Sequence, residues 1–414
     1  MALPETRFAV LLGSRRVGTL LQRGDHTRFV FSEEYLDDPG RAILGLAFEQ
    51  DLAGRHAAAL RLPPWFSNLL PEGVLRDWIA TDRGVSAERE MELLVQVGHD
   101  LPGAVRVVSC PAGETAVPYD SDWPEPPADR DGHDRGHREL RFSLAGVALK
   151  FSMLAADDRL TLPAFGQGGD WIVKLPDRTY PHVPLNEHAM MRLAGRVGIE
   201  VPEVRLYRRD ELDTLPPGVW PGEEEWAYAV RRFDRDNRRG AVHMEDLAQV
   251  RGVYPNEKYL GNYETVAALV YRRRDMAALR EFARRLAFNV LVSNGDAHLK
   301  NWSLIYRDPR APTLSPAYDL VCTSAYMGPG ETLGLKLAGS RRFDTVTVRT
   351  FERLERRLGA AGAGLGDIVV DLVERVRQAW PECAGLLAGT PDIRKFVTAS
   401  IEARSRTLLS GRRA

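Results

Sequence analysis

The sequence predicts an α+β protein: a β-rich lobe with one helix, then a helical lobe, the pair preceded by a small α+β unit. Short β-type apolar runs at residues 8–12, 17–22 and 28–32, separated by Gly13, Ser14 and Gly24, open the chain. A second set of such runs lies between residues 139 and 233. Beyond Asp234, apolar residues recur at helical spacing over 262–271, 276–292, 348–358, 366–378 and 394–409.

Within the first unit, residues 68–72 open a helix, with Asn68 or Pro71 as the start signal and Val74, Leu75, Trp78 and Ile79 on its apolar stripe. A strand over 103–108 closes the unit. Residues 111–138 then hold five prolines and seven acidic residues with almost no aliphatics, so they cannot bury enough apolar surface to offset ordering. This stretch is the predicted linker, dividing a unit at 1–110 from lobes at 139–233 and 234–414. In the β-rich lobe, 140–143, 149–154, 160–162, 170–175, 204–208 and 227–233 read as strands, and 186–197 as the helix. Residues 315–321 are the main extended interruption of the helical lobe.

Composition bounds the function. Lys and Arg total 56 against 57 Asp and Glu, a net charge of −1, which argues against a dedicated polyanion binder. Cys110, Cys322 and Cys383 are far apart and lack CxxC spacing, excluding a disulfide framework and a thiolate zinc site. The N-terminus lacks a basic segment leading into a long apolar one, and no run of 18 apolar residues occurs. A cytoplasmic protein with no membrane partner is expected.

The chemistry concentrates in Ser293-Asn-Gly-Asp296-Ala-His298-Leu-Lys300-Asn301-Trp302, set between an apolar helix and a strand. Asn-Gly-Asp alone reads as a solvated turn. Asp296 and Asn301, however, have four residues between them, the spacing at which protein kinases place a catalytic Asp and a metal-binding Asn. A further Asp, Asp319, lies downstream. Such a set suits phosphoryl transfer, with one carboxylate accepting the hydroxyl proton and Asn and Asp oxygens holding Mg²⁺ against ATP. A cation for the phosphates is available in Lys174, on the predicted strand Trp171-Ile-Val-Lys174-Leu175; the alternative is a plain strand-end lysine. Glu187, early in the next helix, is its natural ion-pair partner or a carboxylate that favours a helix N-terminus. Upstream, Ser143-Leu-Ala145-Gly146-Val147-Ala148-Leu149-Lys150 joins two strands where a phosphate loop belongs. No GxxxxGK[ST] occurs, which removes the P-loop class.

Together these residues resemble the HipA family, the Ser/Thr kinase toxins of bacterial type II toxin–antitoxin modules. Asn68-Leu-Leu-Pro71-Glu72-Gly73 and Asp100-Leu-Pro-Gly-Ala-Val resemble its N-terminal subdomain. Its kinase core is resembled by Ser143-Leu-Ala-Gly, Ile172-Val-Lys174-Leu-Pro, Asn186-Glu187, Arg232-Phe-Asp-Arg235, Glu245-Asp246 with Gln249, Asp296-Ala-His-Leu-Lys-Asn301 and Tyr318-Asp319-Leu320.

The resemblance implies a protein-kinase-like two-lobe fold, with ATP and Mg²⁺ as cofactors. It makes Asp296 the catalytic base and Asn301 with Asp319 the metal ligands. Lys174, residues 145–150, Arg231, Arg232, Phe233, His298, Lys300 and Tyr318 become the ATP contacts, and Ser143 an autophosphorylation site that switches the enzyme off. It further implies a small helix-turn-helix antitoxin (HipB-like) as partner, DNA contact only through that antitoxin, and a translation component such as an aminoacyl-tRNA synthetase as substrate.

Two departures stand out. Ala148-Leu149-Lys150 lacks the family's loop glutamine, and Arg231 stands where an acidic residue can occur. They motivate a second reading, a catalytically silent kinase fold acting through its partner. A third treats Asp296, His298 and Asp319 as a D-x-H metal site in a hydrolase. The arginines at 404, 406, 412 and 413 read as a solvated, disordered tail.

Overall fold

The computed structural model describes residues 5–110, 149–156, 159–161, 168–213, 215–216, 218–328 and 330–410. The proline-rich stretch 111–138, Ser143 and the loop residues Ala145 to Ala148 lie outside them.

The N-terminal unit is an antiparallel sheet in the order β4-β3-β2-β1-β5: β1 Glu5–Leu12, β2 Arg15–Arg23, β3 His26–Phe31, β4 His56–Ala59 and β5 Val105–Ser109. Gly13, at φ 63°, makes the β1–β2 turn that a side chain would strain. One sheet face packs a cluster in which Phe29 meets Phe31, Phe66 and Phe48 at centroid distances of 4.7, 4.9 and 5.6 Å. The helix Gly73–Arg83 ends at Gly84 in the left-handed region, φ 64°. Asn68 is not its start signal. The Asn68 amide instead donates to the carbonyls of Pro64 at 2.8 Å and Val253 at 2.7 Å, the second across the boundary with the helical lobe.

The β-rich lobe is a six-stranded sheet in the order β10-β7-β6-β8-β11-β9: β6 Lys150–Ala156, β7 Arg159–Thr161, β8 Trp171–Lys174, β9 Val204–Arg208, β10 Leu212–Asp213 and β11 Trp226–Arg231. Its helix, Val183–Arg196, lays Ala189, Met190, Leu193 and Ala194 against the sheet and the helical lobe.

In the helical lobe Asp275 caps Met276–Leu291 through the Ala278 N–H at 2.9 Å, and Asn262 caps Tyr263–Val270 through the Thr265 N–H at 2.8 Å. The first of these helices is buried almost all round, which explains its near-continuous apolar run. It packs with Leu365–Cys383 and Pro391–Leu409, and Val348–Arg357 packs beside them. A three-stranded sheet, β12 Met244–Asp246, β13 Ser303–Ile305 and β14 Thr313–Leu314, supports the loop between Leu291 and β13. Arg404 and Arg406 belong to the last helix rather than to a disordered tail. The Arg404 guanidinium lies 4.9 Å from the Phe343 ring centre, so an aromatic partner fixes it.

Candidate active site

The last residue of the buried helix is Leu291, and the chain then turns sharply through Ser293 at φ 52°. Held left-handed without glycine, Ser293 marks a tightly determined loop. Asn294 organises the segment beyond this turn. Its Oδ1 accepts the Asp296 N–H at 3.1 Å, while its Nδ2 donates to Asn289 Oδ1 at 2.8 Å and to the Asp319 carbonyl at 3.3 Å. The loop bearing Asp296 is thereby tied to the strand-like segment bearing Asp319. Asn301 closes it by donating to the Asp296 carbonyl at 2.8 Å, and Asn301 and Asp319 line one small cavity.

Asp319 is itself left-handed, φ 55°, and Cys322 just beyond is gripped by Asn186, whose amide pairs with its carbonyl at 3.0 Å and its N–H at 3.1 Å. Residue 187 on the same helix faces the sheet. Lys174, ending β8, places its Nζ 2.7 Å from Glu187 Oε1 and 2.5 Å from Asp319 Oδ1. Burial pulls the Lys174 ammonium down, but Asp319 and Glu187 outweigh it and hold the group cationic. Of the two carboxyls sharing that cation, Glu187 is pushed up to about 7 by burial, Lys174 opposing and Asp319 adding. Asp319 stays below the usual carboxylate range, because Lys174 and Lys150 outweigh its burial. Lys150 is the direct cross-strand partner of Lys174, so both ammoniums leave the same sheet face.

His298 is buried, and both ring nitrogens lack a hydrogen-bond partner among the described residues. Burial pushes its imidazole down to about 3, the Lys258 charge adding to this, so the ring is neutral. At 4.0 Å from Asp296 Oδ1 it makes neither ion pair nor hydrogen bond there. The Asp296 carboxylate is instead held by the Tyr259 hydroxyl, and the Tyr259 ring stands edge-on to His298, centroids 4.9 Å apart.

These elements carry the recognition signature of a known family. Residues 142–380 match the HipA-like C-terminal domain and residues 8–108 the HipA N-terminal domain. The chain belongs to the HipA family. It is 42% identical over 386 residues to the "Putative kinase Y4dM" of Sinorhizobium fredii, covering 91% of each chain. It is 24% identical over 409 residues to the serine/threonine-protein kinase toxin HipA of Shewanella oneidensis, covering 90% of this chain and 87% of that one. The solved Shewanella complex of HipA, HipB and operator DNA superposes with a TM-score of 0.75, at 21% identity and 97% coverage of both chains. The HipA fold, a kinase-like β-rich lobe against a helical lobe, is therefore the fold of this chain, and the family is one of kinases.

Within this HipA fold several expected nucleotide contacts are committed elsewhere. The Lys300 ammonium reaches the Asn68 carbonyl at 2.8 Å and Glu72 at 3.2 Å in the N-terminal unit, and Asp246 of β12 at 3.3 Å. The Arg232 guanidinium is buried between Asp100 at 2.7 Å and Asp234 at 2.8 Å, so its side chain does not face an adenine. Arg231 ends β11 and reaches Asn237 at 3.3 Å, its N–H held by the Glu203 carbonyl. Phe233 and Tyr318 do come together, ring centroids 5.6 Å apart, while the Tyr318 hydroxyl bonds the Lys300 carbonyl at 2.8 Å and Ser303 at 2.5 Å. Leu149 precedes β6, where its carbonyl accepts the Leu175 N–H at 2.9 Å. Sequence reasoning does not find Tyr259, Asn294 or the active-site side of Glu72. Only the short Asn68–Glu72 motif hints at the last, because its side chains meet their partners across the fold.

Oxygen donors at Asn301 and Asp319, beside a cation at Lys174, fit a hard divalent ion carrying phosphate. Among the described residues no three His, Cys, Asp or Glu side chains converge as metal ligands. No helix among the described residues is long and apolar enough to cross a membrane.

Proposed function

We propose that this chain is an ATP- and Mg²⁺-dependent serine/threonine protein kinase, the toxin of a toxin–antitoxin pair. The observation that carries the reading is the cleft itself. Asn294 ties the Asp296 N–H to the Asp319 carbonyl, Asn301 holds the Asp296 carbonyl, and Lys174 is held cationic between Glu187 and Asp319. In this reading Asp296 accepts the proton of the substrate hydroxyl as its oxygen attacks the γ-phosphate. Lys174 orients the phosphates, and Lys150, with residues 145–149, cradles them. Neutral His298 offers its one N–H to the γ-phosphate, and Phe233 and Tyr318 flank the adenine. Asn301 and Asp319 would hold Mg²⁺, which supplies charge neutralisation at the phosphates. Ser143 is the autophosphorylation site whose new charge displaces the loop and turns the enzyme off. The proposed partner is a small helix-turn-helix antitoxin that contacts operator DNA, the proposed substrate a translation component such as an aminoacyl-tRNA synthetase, and the proposed location the cytoplasm.

The test is incubation with Mg·ATP and then peptide mass spectrometry, with Asp296→Asn alongside. We expect a phosphate on Ser143 in the parent, and transfer about 10²–10⁴-fold slower in the variant with nucleotide binding retained. Full transfer by Asp296→Asn would sink the assignment of the base. Nucleotide binding without transfer to any protein by the parent would favour a silent kinase fold acting through its partner.

A further inference from the structure

We infer that Glu72 of the N-terminal unit is a positioning residue for the catalytic loop, one carboxylate that sets the base and the neighbouring metal ligand relative to each other. Glu72 Oε2 lies 2.7 Å from Lys258 Nζ, and Oε1 lies 3.2 Å from Lys300 Nζ. The two lysines lead to different catalytic groups. Lys258 precedes Tyr259, whose hydroxyl holds the Asp296 carboxylate, and the Lys258 carbonyl accepts the Leu299 N–H at 3.1 Å. Lys300 precedes Asn301, whose amide holds the Asp296 carbonyl. A single side chain thus holds Lys300 within the loop from 296 to 301 and Lys258 in the segment that braces that loop.

Independent contacts reinforce the grip. Asn68, four residues before Glu72, accepts from Lys300 through its carbonyl at 2.8 Å and its side-chain oxygen at 3.2 Å, while its amide holds the Val253 carbonyl. The Tyr259 carbonyl is fixed from the other side by Arg341 at 2.6 Å. Burial pushes the Glu72 carboxyl up, but the Lys300 and Lys258 charges outweigh it and keep the group ionised. A neutral isostere at Glu72 leaves two mostly buried ammoniums short of a counter-charge and frees both lysine stems to move. Positioning errors of about 1 Å cost catalysis on the order of 10²-fold.

The functional half of this inference rests on the kinase reading, and the experiment separates the two. Hydrogen exchange of the full chain is compared between the parent and Glu72→Gln, together with phosphoryl transfer, nucleotide affinity and thermal melting. The clamp predicts faster exchange over residues 293–302 and transfer slower by about ten- to a hundredfold, with nucleotide affinity and cooperative melting retained. Glu72→Asp, which keeps the charge, recovers part of both losses. Unchanged exchange over 293–302 overturns the clamp, as does nucleotide affinity falling in step with transfer. If the parent transfers no phosphate, the kinase reading fails while the exchange arm still decides the clamp. Should Glu72→Gln not fold, Glu72→Asp is judged by the same exchange criterion.

Discussion

Two buried ion clusters join the N-terminal unit to the rest of the molecule, each with two carboxylates and two cations. Just beyond β11, Asp100 and Asp234 face Arg232 and Arg235, with N–O distances of 2.7 to 2.9 Å and side chains no more than 9% exposed. Beside the loop that bears Asp296, Glu72 and Asp246 face Lys258 and Lys300 at 2.7 to 3.3 Å, with Glu72 24% exposed. The difference lies in the cation. Guanidinium forks fix planar geometry, and here they also engage the Leu101 carbonyl and the Ser152 hydroxyl, whereas ammoniums are point charges on flexible stems. The forked cations make the first cluster the more rigid of the two, and the ammonium stems of the second leave more room for adjustment.

The sharpest way to break this contrast is to remove one partner from each cluster. Asp234→Ala strands Arg232 and Arg235 in a dry site and is expected to cost about 3–5 kcal/mol in denaturant unfolding. Glu72→Gln is expected to cost less stability, because Lys300 keeps Asp246 and the Asn68 carbonyl and the Glu72 side chain is partly open to water. Equal losses from the two changes would abolish the distinction between the clusters.

A third junction sharpens the contrast, since it has a carboxyl with no ion-paired cation among the described residues. Glu245 is buried and accepts from Trp65 Nε1 at 3.1 Å, the Leu46 N–H at 3.0 Å and the Tyr306 hydroxyl. Burial pushes its carboxyl up from 4.5 to about 7, the three donors opposing and Asp246 adding. The folded state then binds more protons than the unfolded one between those values. Its contribution to stability is thus full below pH 4.5 and lost as pH rises through about 7. Unfolding free energies measured across that window should differ between parent and Glu245→Gln by a slope amounting to roughly 3–4 kcal/mol in total. A parallel pair of curves would show that the three donors hold Glu245 ionised throughout.

The smallest effect is expected at the surface. Arg196 and Glu382 approach to 2.6 Å, yet both side chains are more than half exposed. Glu382→Ala should move stability by no more than about 0.5 kcal/mol in the same unfolding assay. A larger change would mean that distance, not burial, ranks the ion pairs of this molecule.

Local pattern makes much of the fold legible. Strands at 8–12, 17–22 and 204–208 and helices at 262–271, 276–292 and 348–358 are readable because period and capping residues act within a few positions. The same pattern misses β10, β12 and β14, two to three residues each, and the short helix Pro64–Ser67, which are too short to show a period. It also makes Asn68 a helix start, since that residue's partner at Val253 lies 185 positions away. At the candidate site, Lys174, Glu187 and Asp319 are legible as a set through spacing and residue type, and they do converge.

By itself the sequence determined the residue types that chemistry needs, their order, and the elements that bear them, because periodicity and spacing are written locally. Only the tertiary structure decided which cation serves which carboxylate. Lys174 goes to the cleft, while Lys300, one residue before Asn301, turns to Asn68 across 232 positions. Arg232 turns to Asp100 across 132 positions. The reason is physical: a buried charge must find a counter-charge wherever packing places one, and that place is set by the whole fold rather than by its neighbours in the chain.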